Sequence, residues 1–148
     1  MDRITRLTLD TNIFSKGDLA VVAYLIECQN KGILEVRISN IVLAELANIT
    51  DSVWRDQVLR LARQAEPLPE LQNHQLLDQI FVAIFPGVTP DSPKYMKRQK
   101  DAVILAQHIQ AKGHYFLTRD RHFLQHRDKL WELYKCNIKT PSEIRNYL

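Results

Sequence analysis

Between Lys100 and Asp120 the chain reads as a helix that stops at a glycine and passes at once into a strand, which constrains the fold more than any other stretch. Ala102, Leu105, Ala106 and Ile109 recur at helical spacing on one face, and Gly113 stands where a left-handed C-cap belongs. His114 to Thr118 is aromatic, apolar and too short for a helix, so it reads as a buried strand. The same alternation runs through the chain. Ile4 to Leu9 is a strand with Leu7 and Leu9 on one side and Thr8 on the other. Leu19 to about Asn30 is a helix capped by Asp18 and ended by Gly32. Glu35 to Ser39 is a second strand, and Ile41 to Ile49 a helix capped by Ser39 or Asn40. Strands alternating with helices predict a parallel sheet covered on both faces.

At 148 residues the chain reads as one domain, 1–148, able to bury its own core. A formal charge of +3 and a pI near 8.9 admit a nucleic-acid partner without requiring one. Cys28 and Cys136 have no metal-ligand spacing and read as reduced core residues. No apolar run reaches membrane-spanning length, and Met1-Asp2-Arg3 leads into a strand rather than a signal peptide, so a cytoplasmic protein is expected.

The acids carry the chemistry. The first strand runs into Asp10-Thr11-Asn12, a platform for a metal or phosphate, although Asp10 or Asn12 could equally make a turn and no more. Glu45 is the one charge on a helix that is apolar nearly all round. A buried carboxylate must be protonated, paired or bound to a metal; the plain alternative is a narrow solvent strip. Asp101 lies near the start of its helix, and Asp120 lies beyond its strand, at the sheet edge where α/β proteins gather their ligands. Four carboxylates brought together would repel one another without a cation, and oxygen-only ligands select Mg²⁺ or Mn²⁺. There is no Walker loop, no GxGxxG and no Ser/His/Asp arrangement. Metal-assisted hydrolysis of a phosphoryl group matches these residues best.

Elsewhere, Asp51 to Ala65 is an amphipathic helix with Trp54, Val58, Leu61, Ala62 and Ala65 inward, and a short helix fits Leu71 to Ile84. Five of the six prolines fall between Pro67 and Pro93, so this region must hold loops, at the sheet edge or over the cleft. Lys94, Lys97, Arg98 and Lys100 oppose the macrodipole if they open the next helix. They point to phosphate, or are solvated surface. Arg121 to Lys135 is mostly helical, with Phe123, Leu124, Leu130, Trp131 and Leu133 available for packing. His122 and His126 have zinc spacing but read better as exposed histidines. Cys136 to Lys139 is the last strand, and Thr140-Pro141-Ser142-Glu143 opens a closing helix with a capping box.

Leu9-Asp10-Thr11-Asn12, Ala44-Glu45-Leu46, Lys100 to Ala106 and Leu117-Thr118-Arg119-Asp120 together resemble the successive acidic motifs of the PIN domain, in the small single-domain form that includes VapC toxins. The resemblance runs from the first strand to Lys139-Thr140-Pro141 and is least between Asp51 and Pro93. It implies a three-layer α/β/α sandwich and a Mg²⁺- or Mn²⁺-dependent endoribonuclease, with Asp10, Glu45, Asp101 and Asp120 as catalytic and metal-site acids. Thr11, Asn12 and Thr118 would support them through hydrogen bonds. Lys97, Arg98, Lys100, Arg119 and Arg121 would meet RNA. It further implies products with a 5′-phosphate and a 3′-hydroxyl, a homodimer, and an antitoxin partner if the chain is a toxin. Two positions depart from the pattern: Arg119 where Asn is common, and His122 where a further acid is frequent, which leaves one-metal or two-metal action open. The rival reading is a catalytically silent PIN scaffold that binds RNA or protein, for which the acids could drift; here all four are present. A dehalogenase-type phosphatase would want an acid at position 12, and a receiver domain would order its acids differently.

Overall fold

The structure, a computed structural model, describes residues 4–148; Met1-Asp2-Arg3, read above as leading into the first strand, lies outside the described residues. Strands β1 (Thr5–Leu9), β2 (Leu34–Ile38), β3 (Glu66–Pro67), β4 (Tyr115–Leu117) and β5 (Asn137–Lys139) form one parallel sheet in the order β3-β2-β1-β4-β5. Helices α1 (Leu19–Asn30), α2 (Asn40–Ala47), α3 (Ser52–Ala62), α4 (His74–Ile84), α5 (Tyr95–Gln110), α6 (Arg121–Gln125), α7 (Arg127–Tyr134) and α8 (Pro141–Ile144) connect and cover it. The α1 helix packs with α3 and α8, and α4 with α5, giving the three-layer α/β/α sandwich. The centre of the sheet is buried on both faces. Leu7, Leu9 and Thr8 are all buried although they alternate sides, and Thr8 Oγ1 meets His108 Nδ1 of α5 at 2.6 Å. Because all pairings are parallel, every strand delivers its carboxyl end to the same edge.

Most elements stand where the sequence places them, with differences that have local causes. Gly113 does not supply the left-handed turn after α5; Lys112 does, at φ 56°. The Gly113 N–H donates to the His108 carbonyl at 3.1 Å, the outer bond of a Schellman ending. Gly113 is needed for another reason: a Cβ there would lie 2.4 Å from Cε1 of the buried His108 ring. Gly32, by contrast, has the expected positive φ, 75°. Asp18 precedes α1 but makes no side-chain cap. Asn73 caps α4, which starts at His74 rather than Leu71. The α2 helix buries Val42 and Leu46 but exposes Ala44 and Ala47, so it is covered on one face rather than all round. The segment after Asp120 breaks at His126 into two helices; Trp131 and Leu133 point to solvent, while Phe123 and Leu130 are fully buried. On α5 the core also takes Ile104, Gln107 and His108. The short β3 has no counterpart in the sequence reading. Its Pro67 lacks a donor and stands in an edge strand, which is where a sheet tolerates proline.

Both cysteines are free and buried, and burial pushes the Cys136 thiol up to about 12. Among the described residues no helix is long and apolar enough to cross a membrane. The capping box at Thr140 is present with both of its bonds.

Candidate active site

The pairing of Leu9 with Leu117 brings the residues after β1 and β4 side by side. The Asp10 N–H donates to the Leu117 carbonyl at 3.0 Å, and Asp10 Oδ1 accepts from the Thr11 N–H at 2.8 Å, opening a 3₁₀ turn over Thr11–Ile13. Thr118, wholly buried, is the junction. Its hydroxyl donates to Asp10 Oδ2 at 2.7 Å and accepts the Asp120 N–H at 2.9 Å. Asn12 accepts the Arg119 N–H at 2.9 Å and lies 3.4 Å from the Thr118 hydroxyl. The turn that Asp10 makes and the polar platform after β1 are therefore the same structure.

Glu45 joins from α2, which Ser39 caps directly after β2; Thr11 Oγ1 donates to Glu45 Oε1 at 3.2 Å. Glu45 is half-buried beside the other acids rather than on a solvent strip. Asp101 comes from the second turn of α5, its side chain 12% exposed. Buried Gln107 accepts the Ser39 hydroxyl at 2.7 Å and so holds α5 against the start of α2. Asp120 ends the β4 connection as the N-cap of α6, accepting the His122 N–H at 2.8 Å and facing His122 Nδ1 at 3.0 Å. The His122 ring leans on Phe85, the residue that ends α4, centroids 5.3 Å apart, so the proline-rich middle of the chain does border the acid cluster.

The electrostatics show how closely the acids face one another. Burial pushes the Asp10 carboxyl up to about 7, against the bonds from Thr118 and Thr11, and the charges of Asp101 and Asp120 raise it further. Burial, then Asp120, lift Asp101 to about 6, with Glu45 adding to the rise and Arg98 and Lys97 opposing it. Carboxyls raised this far at a sheet edge make the cluster a candidate functional site. Among the described residues no group of three or more acid, imidazole or thiol side chains stands placed to hold a metal ion. The donor set nevertheless fits a hard divalent cation: it is made of oxygens, it is negative, and its members repel one another.

The basic residues divide. Lys97, Lys100 and Arg121 are exposed, with Lys97 in the first turn of α5. Arg98 is turned inward, its side chain 13% exposed, 3.5 Å from Asp101 and 5.4 Å from the Phe85 ring centroid. Arg119 does not face the acid cluster with its guanidinium. It grips both oxygens of buried Asp18 and reaches the Ser142 hydroxyl at 3.2 Å. This pair ties the start of α1 and the α8 turn to the residue between Thr118 and Asp120. His126 Nδ1 lies 2.7 Å from the His122 carbonyl, a bond between neighbouring turns.

Arg119 holds the Asp18 carboxyl below its usual 3.8, chiefly by hydrogen bonding. The pair's contribution is therefore present above pH 3.8 and is lost as pH falls through the lower folded value. Arg119→Ala is expected to cost about 1–3 kcal/mol at pH 7, with the deficit shrinking by pH 3. Thermal melts at the two pH values check this; an equal deficit at both would mean that Arg119 acts through packing.

The chain matches no protein-family model and no curated protein.

Proposed function

We propose that this chain is a metal-dependent endoribonuclease of the PIN-domain kind, hydrolysing RNA phosphodiester bonds at the carboxylate cluster on the sheet edge. The observation that supports it most is the gathering of Asp10, Glu45, Asp101 and Asp120 at one sheet edge, where burial first and neighbouring carboxylates second raise Asp10 and Asp101. A structural ion-pair network would place cations between acids; here Asp10 meets only hydroxyl and amide donors. Asp10, Glu45, Asp101 and Asp120 would hold Mg²⁺ or Mn²⁺. Such an ion, when bound, supplies Lewis-acid stabilisation of the phosphoryl oxygens and activation of water. Thr118 and Thr11 fix the carboxylates that receive it, and Asn12 fixes the strand ends that carry them. Exposed Lys97, Lys100 and Arg121 would neutralise RNA phosphates on this reading. On this reading the protein works in the cytoplasm as a homodimer. As a toxin of the VapC kind it would be restrained by an antitoxin.

The test compares wild type with Asp101→Asn on a mixed cellular RNA pool that includes tRNA, with Mn²⁺ and with a chelator. Wild-type cleavage that the chelator abolishes, and that the substitution lowers by more than about a hundredfold, is expected. Equal cleavage by both proteins would remove Asp101 from the site. RNA binding without cleavage by either would favour a silent scaffold.

A further inference from the structure

The opposite end of the sheet, where the strands begin, carries a groove of about 320 Å³ that the cluster does not use. Thr5 of β1, His114 and Tyr115 at the start of β4, Asn137 of β5, and Trp131 and Lys135 from the end of α7 form its wall. Among the described residues no carboxylate lines it. Trp131 is 50% exposed although its neighbour Leu130 is fully buried, so the α7 helix packs without it. Lys135 Nζ lies 5.3 Å from the Trp131 ring centroid, which places a positive charge beside a large aromatic face. His114 Nδ1 accepts the Arg6 N–H at 2.9 Å, so the neutral ring carries its proton on Nε2 and is a donor. A neighbouring cavity of about 210 Å³ shares Gly113 and Lys135 and adds Lys112 and the buried His108. Nε2 of His108 has no hydrogen-bond partner among the described residues.

Lys112 and Lys135 are the described non-glycine residues with positive φ, 56° and 54°. Each follows a helix, in the position glycine fills with least strain. A cation near a helix C-terminus is favourable, but any residue of the last turn can supply it. Placing the lysine at the left-handed position itself, once at this groove (Lys135) and once at the cavity beside it (Lys112), points to a use for the charge.

The geometry points to a second RNA contact here: one unpaired nucleotide, its base against Trp131 and Tyr115 and its phosphate among Lys135, Lys112 and His114. Aromatic faces with cations and donors, free of carboxylates, are the chemistry of single-strand binding. Only the choice of RNA as ligand rests on the ribonuclease reading.

The chain has two tryptophans, so in a Trp54→Phe background the emission reports Trp131. The probes are a ten-nucleotide single-stranded RNA and, separately, adenosine 5′-monophosphate, both with chelator so that nothing is cut. RNA is expected to quench the emission saturably. Trp131→Ala should weaken RNA binding about five- to a hundredfold, Trp131→Phe should recover part of it, and Lys135→Asn should lower the salt slope by about 0.7. Asparagine tolerates the left-handed backbone, so the last variant keeps the α7 ending. Unchanged emission with unchanged affinity of Trp131→Ala would overturn the groove. Quenching by the mononucleotide at the same concentration as by RNA would overturn RNA as its ligand. Quenching without any Mn²⁺-dependent cleavage would instead overturn the ribonuclease reading and leave the groove standing.

Discussion

At pH 8 with a chelator, Asp10→Asn is expected to melt well above wild type, and the gap should narrow steadily as pH falls from 7 toward 3.8. Asp10 is 4% exposed, and its carboxyl is pushed from 3.8 up to about 7, mainly by burial. Between those values the folded chain keeps a proton that the unfolded chain has released, so wild-type stability falls as pH rises and levels off above about 7. The displacement corresponds to about 4 kcal/mol at most, or roughly 10 °C in melting temperature for a chain of this size. Asparagine keeps the shape and an acceptor for the Thr11 N–H while removing the charge. Its amide can donate to the Thr118 hydroxyl, which is free to turn toward Asn12 at 3.5 Å. Asp101, raised to about 6, adds a slope of the same sign over a narrower window. Mn²⁺ should reverse the effect by raising the wild-type melt at pH 8 and leaving Asp10→Asn nearly unmoved. A variant no more stable than wild type at pH 8 would show that the acids are better compensated than their burial implies.

The legible parts of this fold are those whose signal is local. Apolar periodicity places α1, α3 and α5, alternation places β1 and β2, and the Thr140-Pro141-Ser142-Glu143 cap places α8. The two-residue β3 is too short for any period and exists because β2 offers its edge, the Leu68 N–H donating to the Ile38 carbonyl at 2.8 Å. Asp10 and Asp120 were legible because each follows a strand and a parallel sheet sends those junctions to one edge, while Glu45 stood out as an acid within an otherwise apolar stretch of helix and Asp101 as one at the head of such a stretch. Asp18 was not, because at a helix start an aspartate reads as a cap. Its partner Arg119 lies a hundred residues on, beyond the reach of local patterning. Arg98 misleads for a similar reason: its place in a basic run gives no sign that one member turns inward to Asp101 while Lys97 and Lys100 stay in water. Gly113 was recognised as necessary, but for its backbone rather than for the His108 ring against it.

Thr118→Val is expected to shift the acid limb of RNA cleavage to higher pH by about one unit, and to cost about 1–3 kcal/mol of stability. The valine fills the same buried space but leaves the Asp120 N–H and one Asp10 oxygen without the partners they have at 2.9 and 2.7 Å. The Thr118 bond favours the ionised form of Asp10, so losing it raises a carboxyl already near 7. A cation needs Asp10 ionised, so the variant should require more Mn²⁺ than wild type at pH 7 and approach it at pH 8.5. Thr118→Ser, which keeps the hydroxyl, should restore the wild-type limb even if it does not restore full stability. Cleavage profiles across pH at saturating RNA, with Mn²⁺ titrations at both pH values, separate the cases. A uniform loss at every pH, with the limb unmoved, would mean that Thr118 holds the strand ends together without tuning the acid between them.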